Sequence, residues 1–195
     1  MAKGPRYRVP YRRRREAKTN YKARRVLATS KKPRFVVRPS NKNITIQLVT
    51  SKIEGDVIHT QASSAELDKY GWLGGRKNTP AAYLLGLLAG KKAIREGIEE
   101  ANLDIGLSRP TKGAKVFAAV KGALDAGLVI PCDSDILPEP GRIQGETIAR
   151  FAQVIEDPQE YERMFSGYLG REQSPQQLPD HFKTVMAAIE EGFQE

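Results

Sequence analysis

Residues 86–92, GLLAGKK, set two glycines ahead of a lysine, the composition of a loop that cradles nucleotide phosphates. Such a loop has four residues between its glycines and Ser or Thr after the lysine. Here three residues intervene and Lys92 follows Lys91, within a helical pattern whose backbone N–H groups are already used. Metal-assisted phosphoryl transfer needs several carboxylates converging on two cations about 4 Å apart. The strand-like run RFVVRPS carries arginine where such an acid would stand, and Asp104 is alone in LDIGL, where it reads as a turn or capping partner. Cys132 lies between Pro131 and Asp133, and a neighbouring acid raises a thiol's pKa where a nucleophile needs it lowered. Being the sole cysteine, it excludes an internal disulfide and a Cys-based zinc site and points to a reducing, intracellular setting. His59 and His181 have no ligand-type residue at i+3 or i+4, and there is no G-x-S-x-G elbow. These residues argue for no enzyme, no cofactor and no metal.

Charge is the stronger statement. Residues 1–42 hold 16 Lys and Arg against the single acid Glu16, residues 43–138 hold 11 of each sign, and residues 139–195 hold 5 against 11. A basic arm on a neutral body is the electrostatic footprint of a polyanion binder, because each cation that replaces a condensed counterion on a phosphate releases it. Arg12, Arg13, Arg14 and Arg15 form an unbroken tetrad, and the guanidinium suits two-pronged phosphate contact. Tyr7, Tyr11 and Tyr21 interleave with the arginines and offer stacking faces worth ~1–3 kcal/mol per unpaired base. Lys31, Lys32, Arg34, Arg38 and Lys42 carry the charge beyond the arm onto the first strand and turn. The arm has no apolar region behind it, and Pro5 and Pro10 interrupt any amphipathic face, so neither a signal peptide nor a transit peptide is expected. No stretch approaches the ~18–20 apolar residues of a membrane span.

The elements that must position these groups follow from periodicity. Residues 1–18 are too poor in apolar side chains to order alone and are expected to order on their partner. Thr19 is the expected cap of a short helix over NYKARRVLATS. Alternation predicts three strands: one around Phe35 and Val37, one around Ile44, Ile46 and Leu48, and one over residues 57–61, joined by PSNKN and KIEGD turns. That alternation leaves one face polar, with Thr45, Gln47 and His59 or Thr60 on it. Ser63 and Glu66 form a capping-box pattern, and GWLGGRKN is a loop. A helix is expected from Thr79 as cap with Pro80 behind it, its stripe of Leu84, Leu87, Leu88, Ile94 and Ile98 inward and Gly86, Ala89 and Gly90 free for close packing. LDIGL is a short buried strand, and a second helix with Val116, Val120, Ala123 and Leu124 inward ends at Gly127. Five of the twelve prolines fall in residues 138–179, breaking that region into short helices, and PDHFKTVMAAIEEGF sets Phe182, Val185, Met186, Ile189 and Phe193 on one face.

The fold class is α/β with a mixed β-sheet: a three-stranded antiparallel meander, then helix, strand and helix, with a basic N-terminal arm and a helical C-terminal extension. Residues 1–18 are expected to form a basic arm suited to RNA, 19–138 the α/β body and 139–195 an acidic helical extension that packs on the body or on a protein.

Six blocks in order, RYRVPYRRRREAKTNYKARR, KPRFVVRPSNKNITIQLV, YGWLGGRKNTPAAYLLGLLAGKKA, LDIGL, PTKGAKVFAAVKGALDAGLVIP and RIQGETIA, resemble the L-eighteen family of large-subunit ribosomal proteins in its archaeal and eukaryotic branch. The resemblance spans residues from about 6 to 150. It implies a non-catalytic, cytoplasmic, ribosome-bound protein that binds 5S rRNA and attaches it to the central protuberance. It implies contacts with 23S rRNA and neighbouring large-subunit proteins as well. Carried over by position, the RNA contacts in the arm are Arg6, Tyr7, Arg8, Arg12 to Arg15 and Lys18, with Tyr21, Arg24 and Arg25 just beyond. The first hairpin adds Arg34, Arg38, Ser40, Asn41 and Lys42, and the loop GGRKNT adds Arg76, Lys77 and Asn78. The alternative is a non-ribosomal RNA-binding or RNA-processing factor on the same fold.

Overall fold

β1 (Arg34–Pro39), β2 (Ile44–Ser51) and β3 (Asp56–Ser63) form the predicted antiparallel meander in the computed structural model, which describes residues 4–193. The first three residues of the arm and the last two of the extension lie outside those described. The β1–β2 turn is tied by Ser40, whose N–H and hydroxyl both donate to the Asn43 carbonyl, at 2.7 and 2.8 Å. β4 (Asn102–Asp104) pairs with β1 in parallel, so the strand order is β3-β2-β1-β4. A parallel partner cannot be reached by a tight turn and needs a long crossover. α3 (Thr79–Arg95) supplies it, and α4 (Lys115–Asp125) follows β4.

α3 lies on β2 and β3, α4 packs against α3 and β1, and together they bury Phe35, Val37, Ile44, Ile46 and Leu48. The two helices touch backbone to backbone: a Cβ on Gly86 would stand 2.0 Å from the Ala119 carbonyl oxygen, and one on Gly122 2.1 Å from that of Tyr83. The glycines that imitate a phosphate loop are therefore packing residues. α3 is buried from Pro80 to Gly90 on almost every side, because sheet, α4 and extension surround it. It stops at Arg95, so the expected stripe does not reach its end; Ile94 is 40% exposed.

Two caps are displaced by one residue from the positions the sequence suggests, that of α2 later and that of α3 earlier. α2 (Tyr21–Thr29) is capped by Asn20, whose Oδ1 accepts from the Lys22 and Ala23 N–H groups, while the Thr19 hydroxyl accepts from Arg13 Nε at 2.9 Å. α3 is capped by Asn78, which accepts from Ala81 N–H at 2.9 Å, leaving Thr79 as the first helical residue. Asparagine, the stronger capping residue, wins over threonine at both sites. The Ser63–Glu66 pattern is realised in one direction, Ser63 N–H donating to the Glu66 carboxylate at 2.9 Å ahead of a single 3-10 turn.

The face expected to stay polar is covered near β1. Arg34, Val36 and Arg38 point to it, yet Arg34 and Val36 are buried. α2 is tethered there, with Arg24 bonded to Asp56 at 2.9 Å and Asn102 donating to Ser30 at 3.1 Å. The β2–β3 part stays open and polar, carrying a Gln47–Gln61 bond of 2.7 Å and a Thr50–His59 bond of 2.8 Å.

The extension consists of α5 (Pro140–Gln144), α6 (Glu146–Val154), α7 (Pro158–Leu169) and α8 (Leu178–Glu191). Pro140, Pro158 and Pro179 stand at the first or second helical position, where a missing N–H is tolerated, so they begin helices as much as interrupt them. Leu178, Phe182, Val185 and Ile189 of α8 join the same core as Phe35 and Leu84. His181 stacks on Trp72 at 5.3 Å between centroids and accepts the Leu73 N–H at 3.0 Å, and Arg171 donates to the Leu73 and Gly74 carbonyls. The acidic extension therefore braces the loop that precedes α3.

Candidate nucleic-acid interface

Every described residue of the arm is exposed, and Arg12–Arg15 make a single helical turn, α1, that buries nothing. The one acid of the arm, Glu16, pairs with Lys18 at 2.9 Å and Arg12 at 3.6 Å. Arg6, Arg8, Arg14, Arg15 and Arg25 have no carboxylate partner among the described residues. Tyr11 and Tyr21 lie 5.4 Å apart at their centroids, tilted by 38°, with Tyr11 74% exposed. A cleft of about 760 Å³ collects Arg13 and Lys18 of the arm, Tyr21 and Arg24 of α2, Arg38 of β1, and Gly106 beyond β4. Arm and first hairpin thus face one cavity.

At the floor of that region sits an ion-pair cluster which removes one expected contact. Arg34 is 2% exposed; its guanidinium donates to Asp104 at 2.9 Å and to Asp56 at 2.7 Å, and its Nε is buried without a partner. Arg34 cannot reach an outside ligand and instead fixes β1 to β3 and β4. Asp104, read from sequence as an isolated turn residue, is the hub. It accepts from Arg34, from Arg38 at 2.7 Å and from Gly106 N–H at 2.9 Å. Burial alone would raise its carboxyl, but the Arg38 and Arg34 guanidiniums and the Gly106 N–H hold it below the ordinary carboxylate value. Asp56 is held low in the same way, Arg24 and Arg34 outweighing its desolvation. Arg38 remains 45% exposed at its side chain and is available at the rim.

The loop before α3 behaves unevenly. Arg76 is engaged by Asp68 through two nitrogens, and Asn78 has both ends of its amide occupied, Oδ1 by the cap and Nδ2 by the Tyr168 hydroxyl at 3.1 Å. Asn78 therefore has a structural part to play, capping α3 and tying its start to Tyr168. Lys77 opens into a second cleft of about 460 Å³, with Ser40 and Asn41 from the first turn. Lys42 is exposed at the same turn.

Three lining residues of this second cleft, Arg109, Lys115 and Arg142, escape the sequence reading. One signal was present: residues 105–124 contain no acid, so the cations there have no local counter-charge. Among the described residues no cluster of His, Cys, Asp and Glu could hold a metal, and no helix is long and apolar enough to cross a membrane.

A family model described as "Ribosomal large subunit proteins 60S L5, and 50S L18" matches residues 5–99 and 95–133. The chain is 53% identical over 196 residues to the large ribosomal subunit protein uL18 of Thermofilum pendens, covering 100% of both chains. It is 52% identical over 198 residues to the uL18 of Staphylothermus marinus, covering 100% of this chain and 98% of that one. It is 50% identical over 196 residues to the uL18 of Aeropyrum pernix, with 99% and 92% covered. An acid-poor, tyrosine-bearing arm joined to a mixed-sheet body, with identity of this order from end to end, places the chain in the L5/L18 family of large-ribosomal-subunit proteins.

Proposed function

We propose that this chain binds 5S rRNA and attaches it to the central protuberance of the large subunit, contacting 23S rRNA and neighbouring proteins there. Family membership itself makes it a structural constituent of the large ribosomal subunit in the cytoplasm, with a non-enzymatic role. The observation that carries the RNA assignment is the shared cleft: Arg13 of the arm, which has no acid partner among the described residues, Lys18, and Tyr21, on which Tyr11 packs, face the same cavity as Arg38. Phosphates are held by Arg6, Arg8, Arg12 to Arg15, Lys18, Arg24, Arg25 and Arg38, while Tyr7, Tyr11 and Tyr21 stack on unpaired bases. Asn41, Lys42 and Lys77 extend the contact round the first turn. A non-ribosomal RNA factor on this fold has no observation in its favour.

Titrating salt against binding of an archaeal 5S rRNA transcript tests this. Each phosphate neutralised contributes about −0.7 to −0.9 to the log–log slope. Removing residues 1–18 should flatten that slope by several units; an unchanged slope refutes the arm's role. Competition by transfer RNA at equal mass should be weak, and full competition refutes the preference for 5S rRNA.

A further inference from the structure

The second cleft is the strongest unassigned feature. Its cations come from separate elements: Lys77 from the loop before α3, Arg109 from the β4–α4 loop, Lys115 from the first turn of α4, and Arg142 from α5. No carboxylate lines it, and none of the four is ion-paired among the described residues. Cations elsewhere on the body, Lys52, Lys69 and Lys112 among them, are exposed and line neither cleft, whereas these four converge on one cavity.

Lys77 and Lys115 are moreover half-buried. A charge withdrawn from water without a partner is unfavourable, and two of like sign more so. Burial first, and then the charge of Lys77, push the Lys115 amine below the ordinary lysine value. An anion in the cleft would relieve both effects. α4 adds to the attraction, because Ala114 offers no capping side chain and its first turn lines the cavity, leaving N–H groups and the positive end of the helix dipole there. At Gly113 (φ +70°) a Cβ would stand only 3.3 Å from an Arg142 guanidinium nitrogen, so the glycine leaves that guanidinium its room.

Pro39 and Ser108 line both this cleft and the arm cleft, so the two cavities adjoin across the β1–β2 turn. We infer that the second cleft grips the phosphodiester backbone of the RNA held by the arm, as its strand continues past Pro39 and Ser108, through Lys77, Arg109, Lys115 and Arg142. The grip rests on the RNA-binding reading but adds a site and a strand path to it.

The test compares the full chain with three variants against an archaeal 5S rRNA transcript: Lys115→Gln with Arg142→Gln, a control removing two exposed charges elsewhere (Arg150→Gln with Lys183→Gln), and removal of residues 1–18. The cleft pair should weaken binding by about 10- to 100-fold, since hydrogen bonds to charged groups are lost. It should reduce the salt slope by about 1.4 to 1.8, with the control changing affinity less than about twofold. Thermal melting verifies each fold, and if the cleft pair melts early, the loop pair Lys77→Gln with Arg109→Gln carries the same expectation. A cleft variant indistinguishable from the control, with arm removal still weakening binding, overturns the grip and leaves the RNA reading intact. A wild-type chain without salt-dependent affinity for RNA overturns both.

Discussion

Replacing Asp104 by Asn should destabilise this fold by about 3 kcal/mol, the low end of the 3–5 kcal/mol typical when a buried pair loses one partner. The amide keeps the volume and can still accept the Gly106 N–H, so the change isolates charge. Arg34, 2% exposed, then retains only Asp56, whose side chain is 31% exposed, and that remaining partner is why the low end applies. With a urea dependence of about 3 kcal/mol per molar for a chain this long, the midpoint should fall by about 1 M. Trp72, the single tryptophan and 1% exposed, reports the transition by fluorescence. Substituting both partners, Arg34→Met with Asp104→Leu, should recover most of the loss, since apolar replacement of a buried pair is often neutral or better. Acid provides a second check. The folded carboxyl lies below its ordinary 3.8, so its contribution is complete above that value and disappears as pH falls through the lower, folded value. The gap between wild type and Asp104→Asn should therefore close below about pH 3.8. An unshifted midpoint at neutral pH, or a double variant no better than the single one, would refute the reasoning.

Gly86→Ala puts a Cβ against the Ala119 carbonyl and should lower stability by ~1–3 kcal/mol, a Tm drop of about 2–12 °C by calorimetry. Asn78→Ala removes a cap and the Tyr168 bond; it should cost about 1 kcal/mol while leaving 5S rRNA affinity within about twofold, and a larger loss of affinity would return Asn78 to the interface. Burial lowers the pKa of His181 from 6.5, so the unfolded chain takes up the proton first and stability should decline as pH drops below about 6.5. Melting temperatures of wild type and His181→Gln across pH 5 to 8 should show that decline only in the wild type.

The meander, the crossover and the α8 face were legible because period-2 and period-3.6 patterns report burial directly. Phe35, Ile46 and Phe182 fall where alternation and helical spacing place them. Caps were displaced by one residue because Thr–Asn and Asn–Thr neighbours compete, and only backbone geometry decides between them. Arg34 was misread for a different reason. It alternates in phase with Arg38 on β1, and no local pattern distinguishes an arginine facing solvent from one facing Asp104, 70 residues away in the chain.

The same long-range pairing explains how a body of zero net charge can face a polyanion. Residues 43–138 balance 11 cations with 11 acids, but the balance is not local. Asp56 and Asp104 are used up on Arg24, Arg34 and Arg38, all three from the basic segment before residue 43, Arg34 and Arg38 reaching the inner cluster through strand pairing. The body's acids thus neutralise part of the N-terminal excess internally. Its own cations at 77, 109 and 115 are left without partners and gather with Arg142 of the acidic extension at one opening. Arg142 sits there because α5 packs on α3, whose first turn adjoins Lys77. A segment with net negative charge therefore adds a cation to a basic surface, and none of its described acids lines the cleft. Charge summed along the chain locates the arm, whereas charge paired through the fold locates the surface on which an RNA strand could continue beyond it.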